Sequence, residues 1–415
     1  MANRALAHIE EIAWVKPIEG ADNIELVGVL GWQCVAKKNE FRPGDICVYI
    51  EIDSKVPQTQ EFEFLSGKHY KIKTMKFNKF KDENGNPIIS QGIALSDMMF
   101  DALYDKVHML HKFRIGDDVT ETLGVTYSNP EDVKRKSNVN PDSKYQSMIA
   151  RRKKIFSKPW IKKMMKHKWF RVVMFAIFGK KKDKPLQFPS WIQKTDEERI
   201  ENLPIYLNDN TTVWMMTEKI DGTSTTFAID KKRFHKPEFI VCSRNVRMRR
   251  PDQPCFFDEN VYWKIAKKYD VEANLKKIAK KIEERERIKI NRIVLQGETF
   301  GAKLQGNPYK MDDIDFRAFN LVVTGVNFLG KEISVKYITS DMVEFLDGTG
   351  IQCVPILGEY IFPENITMQE FKAFADGKSV INGNVMREGI VFRNIENARQ
   401  SFKNVSNTYL LKHSS

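Results

Sequence analysis

The sequence predicts an α+β protein of two domains, an all-β N-terminal domain and a larger domain in which strands surround one long helix. Three observations carry this expectation. The 415 residues exceed what one ordinary core organises and suit two domains that each bury an apolar interior. Residues 1–125 hold short runs with a period of two, separated by turn residues, which is the pattern of half-buried strands. From Phe188 onward, strand-like runs flank a polar and apolar periodic stretch from Asp258 to about Ile288, the clearest helix in the chain, whose lysines and glutamates read as a solvated face.

The N-terminal elements follow in order. Residues 23–30 alternate, Gly31 breaks the pattern and residues 32–36 resume it, a hairpin signal. Residues 46–52 form a further strand after the turn Arg42-Pro43-Gly44-Asp45. Strands at this spacing favour a small closed barrel. The phrase from Ile18 to Glu51, with Gly20-Ala21-Asp22-Asn23 and Pro43-Gly44-Asp45, resembles OB-type RNA-binding modules. An OB-type β-barrel is therefore expected over residues 1–125, although such barrels also serve as plain scaffolds.

Residues 126–187 read as a linker with a basic, partly apolar insert. Tyr127-Ser128-Asn129-Pro130 and Asn138-Val139-Asn140-Pro141 are turn-rich. The formal charge of the chain is +13, and residues 151–184 alone hold 14 Lys and Arg against one acid, Asp183. Elsewhere basic and acidic residues balance at 53 each. Charge thus argues for a polyanionic partner only at the insert, and the two domains must be read from their motifs. Within the insert, residues 169–178 are apolar and too few to cross a bilayer. Three readings stay open: a helix docked on a domain, a basic arm over RNA, or an interfacial helix giving 151–184 a peripheral membrane contact. No run of about 18 apolar residues occurs elsewhere, and Met1-Ala2-Asn3-Arg4 begins no secretory signal. Cys34, Cys47, Cys242, Cys255 and Cys353 form no CxxC pair, and the seven histidines have no zinc spacing. Reduced thiols and a cytoplasmic location are expected.

In the second domain, residues 212–216, 239–243, 292–297, 316–323 and 389–393 are strand-like, and polar residues gather at their ends. Lys219 follows the first of these in Glu218-Lys219-Ile220-Asp221-Gly222, where the Asp-Gly turn is expected to let the backbone approach a ribose. Alone, a lysine before such a turn is a common surface feature. Its company is Ser243-Arg244-Asn245, Gln296-Gly297-Glu298-Thr299-Phe300-Gly301, Arg387-Glu388-Gly389 and Ser401-Phe402-Lys403. Singly, Arg244 could belong to a plain strand-end turn and Glu298 could cap a helix. Together they meet one chemical demand. An amine that attacks phosphorus must be neutral, yet a free lysine with a pKa near 10.4 is only about 0.1% neutral near pH 7.4. Such a site favours the neutral amine through nearby cations and a bound metal, with carboxylates holding the metal and further cations binding the phosphates.

The order of these motifs resembles the covalent nucleotidyltransferase superfamily of ligases and RNA capping enzymes. The resemblance implies an adenylyltransferase domain over residues 188–415, ATP-grasp-like, of antiparallel sheets with helices, using ATP and Mg2+ or Mn2+. It implies Lys219 as nucleophile, with Glu218 and Ile220 beside it in the ATP site, and Lys403 neutralising the α-phosphate. Asp221, Glu388 and Glu298 are implied at the metal, Glu298 also at the ribose. Arg244 is implied at the ribose and the incoming 5′-phosphate. Phe316 and Phe319, an odd number apart, face opposite sides of a strand; Phe319 is expected to stack on adenine and Phe316 to lie in the core. Many relatives carry a second lysine where Val405 stands, so Lys412 is a candidate phosphate contact. Arg199, upstream, is a candidate triphosphate contact.

DNA ligases and capping enzymes place an OB domain after the last lysine motif. Here only residues 404–415 follow Lys403. With residues 188–200 upstream and Ser406-Asn407 and Leu410-Leu411-Lys412 at the end, the layout resembles the RNA ligase 5 family over residues 1–125 and 188–412, the basic insert excepted. The resemblance implies an ATP-dependent RNA ligase that joins 3′-OH and 5′-phosphate ends through lysyl-AMP and AppRNA in RNA repair, acting on RNA or an RNA-containing nicked duplex. The alternatives are a DNA nick ligase, a capping guanylyltransferase, and a non-catalytic RNA-binding protein retaining the fold.

Overall fold

The structure is a computed structural model. It describes residues 5–82, 85, 87–103, 112–127, 155, 158–165, 167–178, 186–231, 236–250 and 260–413. The chain divides into a large unit, Met1–Thr126 with Leu186–Ser415, and a small one, Tyr127–Pro185.

In the N-terminal domain five antiparallel strands are ordered Trp32–Lys37, Ile24–Val29, Ala7–Pro17, Ile46–Ile50, Ile93–Ser96. The expected hairpin is the Ile24–Val29/Trp32–Lys37 pair. The Trp32–Lys37 edge meets the segment that leads into Ile93–Ser96: Gln91 N–H donates to Gln33 O (2.8 Å), Val35 N–H to Ser90 Oγ (3.0 Å) and Cys34 Sγ to Gln91 O (3.0 Å). This is the expected barrel, closed over Ile12, Val27, Trp32, Cys47 and Tyr49. A second hairpin, Met75–Lys81 with Pro87–Ser90, lies outside that sheet.

The C-terminal domain has two sheets. An eight-stranded one runs Leu186–Gln187, Val246–Arg247, Glu238–Ser243, Thr223–Asp230, Lys289–Gly301, Ile314–Val326, Glu332–Tyr337, with Gln352–Cys353 beside Ile314–Val326. A five-stranded one runs Glu198–Arg199, Ser401–Val405, Gly389–Asn394, Trp214–Lys219, Ile356–Tyr360. The expected single helix over 258–288 is two, Val261–Lys268 and Val271–Glu286, parted where Asp270 takes a left-handed conformation (φ 41°). Asp258 lies outside the described residues. Asn260 caps the first helix by accepting from the amides of Tyr262 and Trp263. Both helices bury Ile265, Leu275, Ile278 and Ile282 against Phe227, Ile293, Phe316 and Leu321 of the large sheet.

The domains meet where Gly31 N–H donates to Glu201 O (2.8 Å) and Trp32 Nε1 to Asn202 Oδ1 (2.5 Å). A Cβ on Gly31 would lie 2.8 Å from the Glu201 backbone, so this contact requires glycine. In the small unit, helices Pro159–Met164 and Lys168–Phe178 carry exposed Trp160, Trp169, Val172 and Val173. Among the described residues no helix is long and apolar enough to cross a membrane. Cys34, Cys47, Cys242 and Cys353 are free thiols, and Cys255 lies outside the described residues.

Candidate active site

Strand register builds the site. Lys219 is the last residue of the Trp214–Lys219 strand, not a residue beyond it, and pairs with Gly389. Glu388 is therefore its neighbour, and Lys219 Nζ lies 2.6 Å from Glu388 Oε1. The chain then passes directly from the small sheet to the large one through Ile220-Asp221-Gly222 and enters Thr223–Asp230, where Ser224 pairs with Glu298. That step brings Glu298 to Lys219. Gly222 serves this crossing. A Cβ there would meet Thr299 O at 2.4 Å, so the glycine allows close packing on the neighbouring strand.

The electrostatics differ from the expectation of cations around the nucleophile. Burial works to lower the Lys219 pKa, but Glu388, Glu298 and Asp221 outweigh it and raise it. The resting amine is held charged. The carboxylates answer in kind. Burial, then Glu388, pushes Asp221 up to about 6 despite Lys219. Burial pushes Glu298 up to about 8, Lys219 opposing and Glu388 and Asp221 adding. Three acids thus face one lysine. Glu388 Oε2 is buried without a hydrogen-bond partner. Hard oxygen donors with excess negative charge and an unused buried acceptor fit a hard divalent cation. The three do not form a ready cage: among the described residues no group of three or more His, Cys, Asp or Glu is placed to hold an ion. Ions of this class keep several waters, and partial ligation through water suits the arrangement.

Arg244, just past the Glu238–Ser243 strand, and Lys403, on Ser401–Val405, come from different sheets and meet on one carboxylate. Asp196 Oδ2 is 2.6 Å from Arg244 Nη2, and Asp196 Oδ1 is 3.1 Å from Lys403 Nζ. Its neighbours tie the same segment down. Thr195 Oγ1 is 3.0 Å from Ser224 Oγ, and Glu197 takes Arg393 at 3.0 Å and the Ser401 hydroxyl.

Phe316 is fully buried in the large core, and Phe319 lies on the opposite face beside Ile220, Phe300 and Tyr309. This matches the expected division of the two rings. A register shift opposite Gln296/Gly297 makes Phe319 a bulge residue.

Other expected residues go elsewhere. Glu218 is buried and points away from Lys219, its carboxylate accepting from Ser379 Oγ (2.5 Å) and Val380 N–H (2.7 Å), because adjacent strand residues alternate faces. Ile220, by contrast, stays beside Phe319, packing in one apolar cluster with it, Tyr309 and Val354. Arg199 is buried against the N-terminal domain, 5.5 Å over the Trp32 ring and 3.5 Å from Asp53. Lys412 is exposed on the Asn407–His413 helix. That helix instead contributes Tyr409, whose Oη donates to Asp221 Oδ2 (2.9 Å), while Asp221 N–H donates to Tyr309 Oη (2.8 Å). Asp196, Tyr309 and Tyr409 were not among the expected site residues. Only Asp196, in the segment upstream of the nucleophile, had a sequence signal.

A strand-end lysine among carboxylates, with two cations gathered from separate sheets, defines a covalent nucleotidyltransferase centre. Residues 6–96 match an OB-fold domain model and residues 212–405 match the RNA ligase model. Among solved structures the chain is similar to a Naegleria gruberi RNA ligase with pyrophosphate (28% identity, 99% of each chain covered, TM-score 0.68). It is likewise similar to a substituted form with ATP and manganese (28%, 100% of this chain and 99% of that one, 0.67) and another with AMP and manganese (27%, 99% of each, 0.68). No curated protein matches. Together these matches give an ATP-dependent RNA ligase with an N-terminal OB domain and a C-terminal nucleotidyltransferase domain.

Proposed function

We propose that the chain seals an RNA 3′-OH to a 5′-phosphate in three steps: lysyl-AMP at Lys219, AMP transfer to the 5′-phosphate, and phosphodiester formation with release of AMP. The observation that carries this is Lys219 at 2.6 Å from Glu388, with Asp221 and Glu298 close enough to perturb it. In the first step the Lys219 amine attacks the α-phosphorus of ATP, forming the N–P bond as the bond to the pyrophosphate oxygen breaks. Glu388 Oε1 is positioned to accept the ammonium proton. A divalent metal, Mg2+ or Mn2+, would be held by Asp221, Glu298 and Glu388 partly through water, and supplies the positive charge that offsets the triphosphate. Lys403 neutralises charge building on the α-phosphate. Arg244 takes the ribose and, later, the RNA 5′-phosphate. Phe319, beside Ile220, stacks on adenine.

The partner is RNA, either free ends or a nicked duplex with RNA on the 3′-OH strand, where a 2′-OH separates RNA from DNA. Free buried cysteines support a cytoplasmic site of action. The 14 basic residues of 151–184 favour a polyanion; deleting this segment is expected to weaken RNA binding more at low salt than at high salt. Equal binding at all salt concentrations, with loss of binding to anionic vesicles, would reassign it to a membrane surface. Sealing is tested on nicked duplexes that differ only in the sugar of the 3′-OH strand. Faster sealing of the ribose form supports this reading, and equal or faster sealing of the deoxyribose form makes the enzyme a DNA nick ligase.

A further inference from the structure

Residues 1–126 hold 15 Lys and Arg against 19 Asp and Glu, so the N-terminal domain is acidic. Yet residues 68–81 contain six lysines, His69 and no acid. The structure turns this run into a surface. Met75–Lys81 pairs antiparallel with Pro87–Ser90, Met75 opposite Ser90 and Phe77 opposite Ile88, with a register irregularity before Lys81. Phe77 and Phe80 pack inward against Ile18, Leu26, Ile88 and Trp14, which anchors the hairpin to the domain. Lys73, Lys76, Lys79 and Lys81 are exposed.

We propose that this hairpin binds RNA phosphates through Lys73, Lys76, Lys79 and Lys81; the proposal rests on the RNA ligase reading and names where that reading's substrate is gripped. The helix Val271–Glu286 supplies the contrast. Its Lys276 and Lys280 each face a glutamate one turn away, Glu272 at 2.7 Å and Glu284 at 3.7 Å, the ordinary solvated pattern. Among the described residues none of these four lysines forms an ion pair, Lys79 lying instead 5.4 Å over the Phe80 ring. Like charges held on one short strand repel each other, and a polyanion relieves that repulsion while releasing its own counterions. Lysine also guards edge strands against pairing with other chains. That role is met by one or two charges and predicts self-association, not RNA release, when they are removed.

The test uses the full chain with Lys73, Lys76, Lys79 and Lys81 all changed to Ala, beside the Lys→Arg counterpart and K276A/K280A. RNA affinity is measured from about 50 to about 200 mM salt, and lysyl-AMP formation without RNA is measured in parallel. The Ala variant is expected to lose on the order of ten- to hundredfold in affinity at the lowest salt. Its log affinity against log salt should be shallower by roughly three, near 0.7–0.9 per lost phosphate contact. The Arg variant and K276A/K280A should bind like wild type, and lysyl-AMP should form equally in all. If the Ala variant keeps wild-type affinity and slope while wild type labels and binds RNA, the hairpin surface is wrong and the ligase reading stands. If wild type shows no salt-dependent RNA binding, both fall.

Discussion

Two lysine–carboxylate contacts in the C-terminal domain have the same length and opposite surroundings. Lys219 lies 2.6 Å from Glu388, and Lys372 lies 2.6 Å from Glu201. Lys372 is nearly sealed, 7% exposed against 25% for Lys219, and donates also to Val405 O at 2.7 Å. Burial lowers its pKa even with Glu201 opposing. Around Lys219 two further acids reverse the outcome and raise the pKa, whereas a buried carboxylate oxygen without a hydrogen bond is common to both pairs, Glu388 Oε2 and Glu201 Oε2. Distance alone therefore does not mark a catalytic pair. The excess of negative charge around the lysine does.

The contrast gives a graded set of expectations. Lys372→Ala strands Glu201 in the interior and should cost about 3–5 kcal/mol of stability, read by denaturant unfolding, with lysyl-AMP formation per folded molecule within twofold of wild type. A specific loss of labelling at unchanged stability would make Lys372 part of the chemistry. Glu388→Gln keeps the shape and should do the reverse: lysyl-AMP formation slowed about 100-fold, close to 2.7 kcal/mol of barrier, with little change in melting temperature.

His8 belongs with the structural pairs. Burial alone would lower its pKa, but Glu10 at 2.8 Å and Glu51 at 3.5 Å raise it to about 9. Because the folded value lies above the unfolded one near 6.5, the stabilisation is fully present below about pH 6.5 and disappears as pH rises through about 9, on the order of 3 kcal/mol in all. His8→Gln should flatten stability across that window; an unchanged profile would remove His8 from the account. The smallest effect expected is at Asp196. Asp196→Asn should lower the rate constant for lysyl-AMP formation about tenfold, near 1.4 kcal/mol, and Asp196→Glu should recover part of it. A loss of stability without a rate effect would make Asp196 only a structural tie.

The motifs proposed to carry the chemistry are more legible in the sequence than their supports. Lys219, Arg244, Glu298, Glu388 and Lys403 were legible because each sits at or near a strand end in a recognisable motif. The Thr223–Asp230 strand was missed because its hydroxyl-rich start, Thr223-Ser224-Thr225-Thr226, reads as turn, although three residues from its middle, Phe227, Ala228 and Ile229, are buried. The helix break at Asp270 carries no Gly or Pro, and Asp enters the left-handed region without announcing it. Tyr309 and Tyr409 reach Asp221 from 88 and 188 residues away, a distance no local pattern encodes. Arg199 followed the family pattern in sequence, but Trp32 of the other domain claims its guanidinium. The lysines of residues 68–81 were averaged away by the acidic residues of their own domain.

The central claim is that Lys219, not the buried Lys372, carries the nucleotide. Wild type, K219A and K372A are incubated with α-labelled ATP and magnesium or manganese, then resolved on a denaturing gel. A labelled band is expected in wild type and in folded K372A, and none in K219A. An unlabelled wild type, or a K219A band as strong as that of wild type, would contradict it.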